Sequence, residues 1–295
     1  MGFTNIGIRL AISQLVLSAA MATEDVVLET QHVSGNVYCI YGQGGNTAVL
    51  KTDEGLLVVD SKYKSVADDL IEAISAISTT PINYLINTHY HGDHTGGNAI
   101  IGANAEIVMH PACKATKSEL LRLAGMEEDY LGSVKVWSEG MVISLGSETV
   151  RLLHFGRAHT SGDIVVVFET SKVVHTGDLF FNGRPPFMET GDKPDTDNWI
   201  RAIEAICRDY PDYVMIPGHG RVADAATFLN FAGYLRILRE DVAAAIRDGK
   251  TREEAIDTID LAEYGLFDDP LDKRHERIKK NVTCVYEEFT LDAQE

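Results

Sequence analysis

A chain of 295 residues with ordinary apolar content and 25 glycines can bury a full core and suits a layered α/β domain with many strand-to-loop turns. Its formal charge of -18, with basic residues bunched only near the C-terminus, excludes attraction to a phosphate backbone, which needs clustered Lys and Arg. The four cysteines (Cys39, Cys113, Cys207, Cys284) are far apart and form no Cys-x-x-Cys pair, which excludes a zinc ribbon.

The first residues read as an export leader. Met1 to Arg9 holds one basic residue, Leu10 to Ala20 is mostly apolar, and Ala20-Met21-Ala22 fits a small-x-small cleavage site. Cleavage after Ala22 would place the mature chain in the periplasm or outside the cell. The apolar run is too short to span a bilayer, and no other segment is long and apolar enough.

Hairpin-like strands are predicted at Val26 to Thr30, Val37 to Tyr41, Thr47 to Lys51 and Leu56 to Asp60. A helix follows over Val66 to Ser78, with Leu70, Ile71, Ile74 and Ile77 on its apolar face. The strand Ile82 to Ile86 then runs into Thr88-His89-Tyr90-His91-Gly92-Asp93-His94. Three imidazoles and a carboxylate on a tight turn can converge, and they are ligands that zinc prefers. The cluster holds more donors than one ion needs, which points to two metals. Tyr90 alternates away from its neighbours, toward core or pocket rim.

After a strand at Glu106 to Met109 and a helix over Ala112 to Ala124, strands are predicted at Met141 to Leu145, Val150 to Phe155, Asp163 to Glu169 and Lys172 to His175. A helix over Thr196 to Arg208 leads to the strand Tyr213 to Ile216. Acid and imidazole groups recur just beyond apolar runs: Asp60, His159, Asp178 and His219. Neighbouring Gly and Pro let the backbone turn there and bring these side chains into one cleft. From Asp224 the chain reads as helix, with a stop at Gly249-Lys250 and a capped restart at Thr251-Arg252-Glu253-Glu254. Lys273, Arg274, Arg277, Lys279 and Lys280 fall on a terminal helix, by default as a solvated face.

Taken in this order from Val37 to Arg221, the motifs resemble the metallo-β-lactamase superfamily of dinuclear metal hydrolases. The resemblance implies an αβ/βα four-layer sandwich over residues 23–223, with residues 224–295 a helical extension on the same domain. It also implies that His89, His91 and His159 hold one Zn²⁺, that Asp93, His94 and His219 hold a second, and that Asp178 bridges them; Fe or Mn suits the same donors. A metal-bound hydroxide would attack the carbonyl of a small molecule, with Asp93 orienting it and Asp60 fixing a ligand imidazole. Asn182 and Arg184, in the loop after Asp178, are candidate substrate contacts.

Asp178 stands where one branch of the zinc β-lactamases carries a cysteine, and its presence is similar to thioester hydrolases of the glyoxalase II kind and to lactonases. The expected reaction is opening of a cyclic amide or ester, β-lactam first and lactone next. A glyoxalase II-type thioester hydrolase is the alternative. The other classes are a mononuclear-iron oxidoreductase and a silent metal-binding module. The nuclease branch is disfavoured by charge and by the short segment between Asp178 and His219.

Overall fold

Alternating apolar side chains put the strands of this chain into two sheets. The computed structural model describes residues 27–126, 131, 134–137, 140–262, 264, 267 and 270–291; the expected leader lies outside them. The first sheet runs in sequence order through β1 (Glu29–Ser34), β2 (Val37–Tyr41), β3 (Thr47–Thr52), β4 (Gly55–Val59), β5 (Ile82–Ile86), β6 (Glu106–Met109) and β7 (Lys135–Val136). Its first four strands are antiparallel, and β4 to β7 are parallel. The second sheet has the order β12-β11-β10-β9-β8, from β8 (Val142–Leu145), β9 (Glu148–Leu153), β10 (Val165–Phe168), β11 (Val173–Phe181) and β12 (Val214–His219). Only β11 and β12 pair in parallel there.

The two-residue period of a strand sorts side chains between cores. Leu57 and Val59 of β4 and Val166 and Phe168 of β10 fill the space between the sheets. Leu56 and Val58 face helices α1 (Ala67–Ile77) and α4 (Pro111–Ala124), whose Leu70, Ile74 and Cys113 cover the first sheet. Val165 and Val167 face α5 (Thr196–Asp209) and α6 (Ala225–Arg247). Each fully buried Val, Leu or Phe contributes about 1.5–3 kcal/mol. The result is the expected α/β sandwich of helix, sheet, sheet and helix.

The C-terminal part joins the outer core of the second sheet. After α6, Gly249 turns with positive φ, and a capping box between Thr251 and Glu254 starts α7 (Arg252–Thr258). The long α8 (Leu271–Leu291) buries Ile278, Val282 and Val285 against the same cluster as Phe228 and Phe231. Among the described residues no helix is long and apolar enough to cross a membrane. The four cysteines are buried and free.

Several elements differ from expectation. The first strand lies at Glu29–Ser34, later than the expected Val26 to Thr30, whose first residue lies outside the described ones, because it is a polar edge strand with a bulge near Ser34. Strand β11 does not stop at His175; it continues through Gly177 and Asp178 to Phe181. The two-residue β7 and the short helices α2 (Gly92–Thr95) and α3 (Asn98–Ile101) carry too few residues for a periodic signal.

Candidate metal centre

The parallel strands of both sheets end at one edge, and the donor side chains meet there. Beyond β4, Asp60 adopts φ 63°, a left-handed conformation that Asp tolerates, and its fully buried carboxylate turns inward. It accepts hydrogen bonds from Thr88 N at 2.8 Å, Thr88 Oγ1 at 2.7 Å and His94 Nδ1 at 2.7 Å. The Thr88 hydroxyl, donating to Asp60, accepts in turn from His89 Nδ1 at 3.1 Å. One carboxylate thereby orients two imidazoles and leaves the Nε2 lone pairs of both His89 and His94 available.

Those lone pairs face two groups of donors. His89, His91, His159 and Asp178 form one group; Asp93, His94 and His219 form the other. In the first, His91 Nδ1 lies 3.0 Å from His89 Nε2 and 3.2 Å from His159 Nε2. Asp178 Oδ2 lies 3.6 Å from His89 Nε2 and 3.5 Å from His159 Nε2. In the second, Asp93 Oδ2 lies 3.6 Å from His94 Nε2 and 3.2 Å from His219 Nε2. The other Asp178 oxygen, Oδ1, turns to this group, 3.2 Å from His94 Nε2 and 3.5 Å from His219 Nε2. Donors about 2.0–2.2 Å from a tetrahedral ion are separated by about 3.3–3.6 Å, and the separations here, from 3.0 to 3.6 Å, lie within or slightly below that spacing.

Charge and burial agree with that geometry. Burial holds His89 well below its ordinary pKa, His91 at about 4 and His159 at about 3, so all three present neutral imidazoles. Burial pushes Asp178 up, but the imidazoles of His94, His219 and His89 outweigh it and keep the carboxylate ionised. For His94, burial is opposed and overcome by Asp178, Asp93 and Asp60, which raise it well above the imidazole range, so Nε2 keeps a proton among these carboxylates until a cation takes its place. His94 Nε2 and Asp178 Oδ1 are buried without a hydrogen-bond partner. Such groups cost free energy unless something polar or charged satisfies them, and a cation between them does so.

The centre opens onto a cleft of about 640 Å³ lined by His91, Asp93, Asp178 and His219, with Phe181 and Phe187 as apolar walls. Asn182 and Arg184 both line it. Asn182 commits its side-chain amide to the Arg221 carbonyl at 2.8 Å and its backbone N–H to the His219 carbonyl, so it anchors the loop. Arg277, expected on a solvated helix face, instead reaches the cleft from α8. Tyr90 packs in the core under the first sheet.

The family model described as the metallo-beta-lactamase superfamily matches residues 40–219. The chain belongs to this superfamily. It is 26% identical to the 2,4-dinitroanisole O-demethylase subunit alpha of Nocardioides sp. over 65% of this chain and 57% of that one. It is 30% identical to a hydroxyacylglutathione hydrolase of Rhodospirillum rubrum over 48% of this chain and 51% of the relative. A probable metallo-hydrolase of Methanocaldococcus jannaschii is 27% identical over 64% of this chain and 93% of its own. The chain thus spans little more than half the length of the first two. A metallo-beta-lactamase from Pontibacter korlensis superposes with a TM-score of 0.61 at 20% identity, over 71% of this chain and 99% of that structure, a likeness of fold.

Within this superfamily site the structure adds residues that sequence reading missed. Buried Asp192, from the turn Thr190–Asp192, lies 3.0 Å from His91 Nε2 and leaves Nδ1 facing the other donors. Burial pushes Asp192 up to about 8. It follows no apolar run, so nothing local marked it. Gly45 and Gly218 are the others. A Cβ on Gly45 would lie 2.1 Å from His94 Cε1, and one on Gly218 would lie 1.9 Å from Asp178 Oδ1. Lys62, buried at φ 57°, donates to the Gly45 carbonyl at 2.7 Å and ties that loop down. His154 and His175 are neighbours of the site and belong to neither donor group. His154 stacks on His110, and His175 Nε2 lies 3.2 Å from the Asn46 carbonyl.

Proposed function

We infer that this superfamily hydrolase holds two zinc ions and opens the carbonyl of a small cyclic amide or ester, a β-lactam or a lactone. The observation that carries the reading is Asp178, whose two oxygens each face a different donor group. His89, His91 and His159 would hold one ion, and Asp93, His94 and His219 the other. Bound there, divalent ions acidify water to a pKa of about 7 and polarise a carbonyl oxygen.

The protein's own part is positioning. Asp60 and Thr88 lock His89 and His94 in the tautomer that presents Nε2. Asp93, partly open to the cleft, is the carboxylate placed to orient a nucleophilic water. Phe181 and Phe187 exclude bulk water from the reacting carbonyl and strengthen the electrostatics inside. The cleft volume suits a small molecule.

The test is elemental analysis of the purified chain, alongside hydrolysis of a chromogenic cephalosporin, an acyl lactone and a glutathione thioester. Two zinc ions with β-lactam or lactone opening is the expected result. A specific observation favours a second reading: a relative named hydroxyacylglutathione hydrolase is 30% identical. Cleavage of the thioester alone would select that reading. One iron and no hydrolysis would overturn both.

A further inference from the structure

Two imidazoles of one donor group are supported from a single segment. Asp192 bonds His91, and the Arg157 guanidinium donates to the Asp192 and Lys193 carbonyls at 3.3 and 3.4 Å. A few residues on, the start of α5 holds the loop that carries His159. Asp195 N donates to the Ala158 carbonyl at 3.0 Å, and Asn198 Nδ2 donates to the Phe155 and Arg157 carbonyls at 2.8 Å each. The Trp199 ring meets the His159 ring edge-on, with centroids 5.3 Å apart. The other donor group is held elsewhere. Asp60 bonds His94, and Asn46 donates from its backbone N–H to the Gly218 carbonyl and from its side chain to the Pro217 and Gly220 carbonyls, on either side of His219.

The start of α5 is fixed in turn from the helical extension. Glu288 of α8 accepts from Thr196 Oγ1 at 2.6 Å and from Thr196 N at 3.2 Å. Arg239 of α6 donates to Glu288 Oε1 at 2.5 Å and to the Thr196 hydroxyl. Both side chains are largely buried, which makes this pair stronger than a solvent-exposed one. The carboxylate also meets the positive end of the α5 dipole.

We propose that Glu288 is a positioning residue for the ion held by His89, His91 and His159. With Arg239 it locks the segment Asp192–Trp199, and through that segment the rings of His91 and His159. The inference rests on the dinuclear reading of the centre. It adds that the helical extension sets the affinity of one ion and not of the other.

The test titrates the full chain with Co²⁺ against a chromogenic chelator. His159→Ala and His219→Ala, each of which breaks one donor group, assign the two affinities. Glu288→Ala should weaken the ion at His91 and His159 at least about tenfold, the lower end of what outer partners of ligands contribute, and leave the other within about twofold. Glu288→Gln should bring the first ion back to within about threefold of wild type, because its oxygen accepts from Arg239 and Thr196 N while its NH₂ donates to the Thr196 hydroxyl. Thr196→Val removes only that hydroxyl and should weaken the same ion by about threefold. If circular dichroism shows that Glu288→Ala does not fold, the last two variants decide. Equal weakening of both ions would make the tie a prop of the whole fold, and unchanged affinities would show that the segment stands without it. Either result overturns the proposal, as does failure of Glu288→Gln to restore the ion. Binding of fewer than two Co²⁺ by the wild-type chain would overturn the dinuclear reading itself, and this proposal with it.

Discussion

Replacing Asp60 with Asn tests whether one buried carboxylate sets both halves of the metal centre. The native carboxylate is fully buried and accepts from Thr88 N, Thr88 Oγ1 and His94 Nδ1. Asn has the same shape but one acceptor oxygen, so either orientation sets its NH₂ group against at least one native donor. With the oxygen toward Thr88 N, the NH₂ faces His94 Nδ1 and favours the tautomer protonated at Nε2, which cannot ligate. With the oxygen toward His94, the NH₂ faces the Thr88 N–H and strains the strand end that carries His89. Outer partners of metal ligands are worth about 10–100-fold in affinity, or about 1.4–2.8 kcal/mol. Asp60→Asn should therefore weaken the position held by His94 by that factor. The position held by His89, reached only through the Thr88 hydroxyl, should weaken by less than about tenfold. Zinc titration against a chromogenic chelator resolves the two affinities, and far-ultraviolet circular dichroism verifies the fold. Wild-type affinity at the His94 position would refute the tautomer argument.

Gly45→Ala places a methyl group 2.1 Å from His94 Cε1, so the ring must move by more than about 1 Å from its donor position; elemental analysis should find the second ion lost, with urea denaturation showing a cost of about 1–3 kcal/mol. Asp178→Ala removes the group that faces both donor sets and should leave fewer than two ions per chain and collapse turnover; retention of both would sink the bridging assignment. His110 is held at about 4 by burial and by stacked His154 at 4.0 Å, so the folded protein binds fewer protons there than the unfolded chain does. Its contribution is present above pH 6.5 and is lost as pH falls toward 4, about 1 kcal/mol after discounting for exposure. His110→Asn keeps an N-cap for α4 and should flatten that acid limb in thermal melts of metal-free protein. His275, half-exposed and 3.2 Å from Asp260, touches no part of the centre, so His275→Ala should change melting by less than about 0.5 kcal/mol and leave metal content intact.

What the sequence made legible was local. The runs Val37–Tyr41 and Ile82–Ile86 match β2 and β5 because a buried strand with a turn after it leaves a continuous apolar signature. The donor residues were legible for the same reason, each placed next to such a run. Asp178 was read as lying after a strand, yet it sits inside β11, because Gly177 at φ 53° imitates a turn without ending the strand. Asp192 and Arg277 reach the site across 101 and 186 positions from His91, as the numbering gives, and no local pattern encodes such a meeting. A basic residue on a helix looks solvated unless the packing of that helix is known. The charge run on α8 therefore hid Arg277, which lines the cleft.

The donor set is divided between the sheets. His89, His91, Asp93 and His94 follow β5 of the first sheet, while His159, Asp178 and His219 come from the second, so neither sheet alone supplies the whole of either donor group. An ion held at this edge is a removable cross-link between two hydrophobic slabs. Its binding energy belongs only to the docked state and adds to the stability of that state by mass action. Loss of the ions would loosen the seam between the slabs first, while the helices covering each outer face stay in place. Resistance to proteolysis along that seam would then report metal supply, making the protein's lifetime a readout of how much metal reaches it.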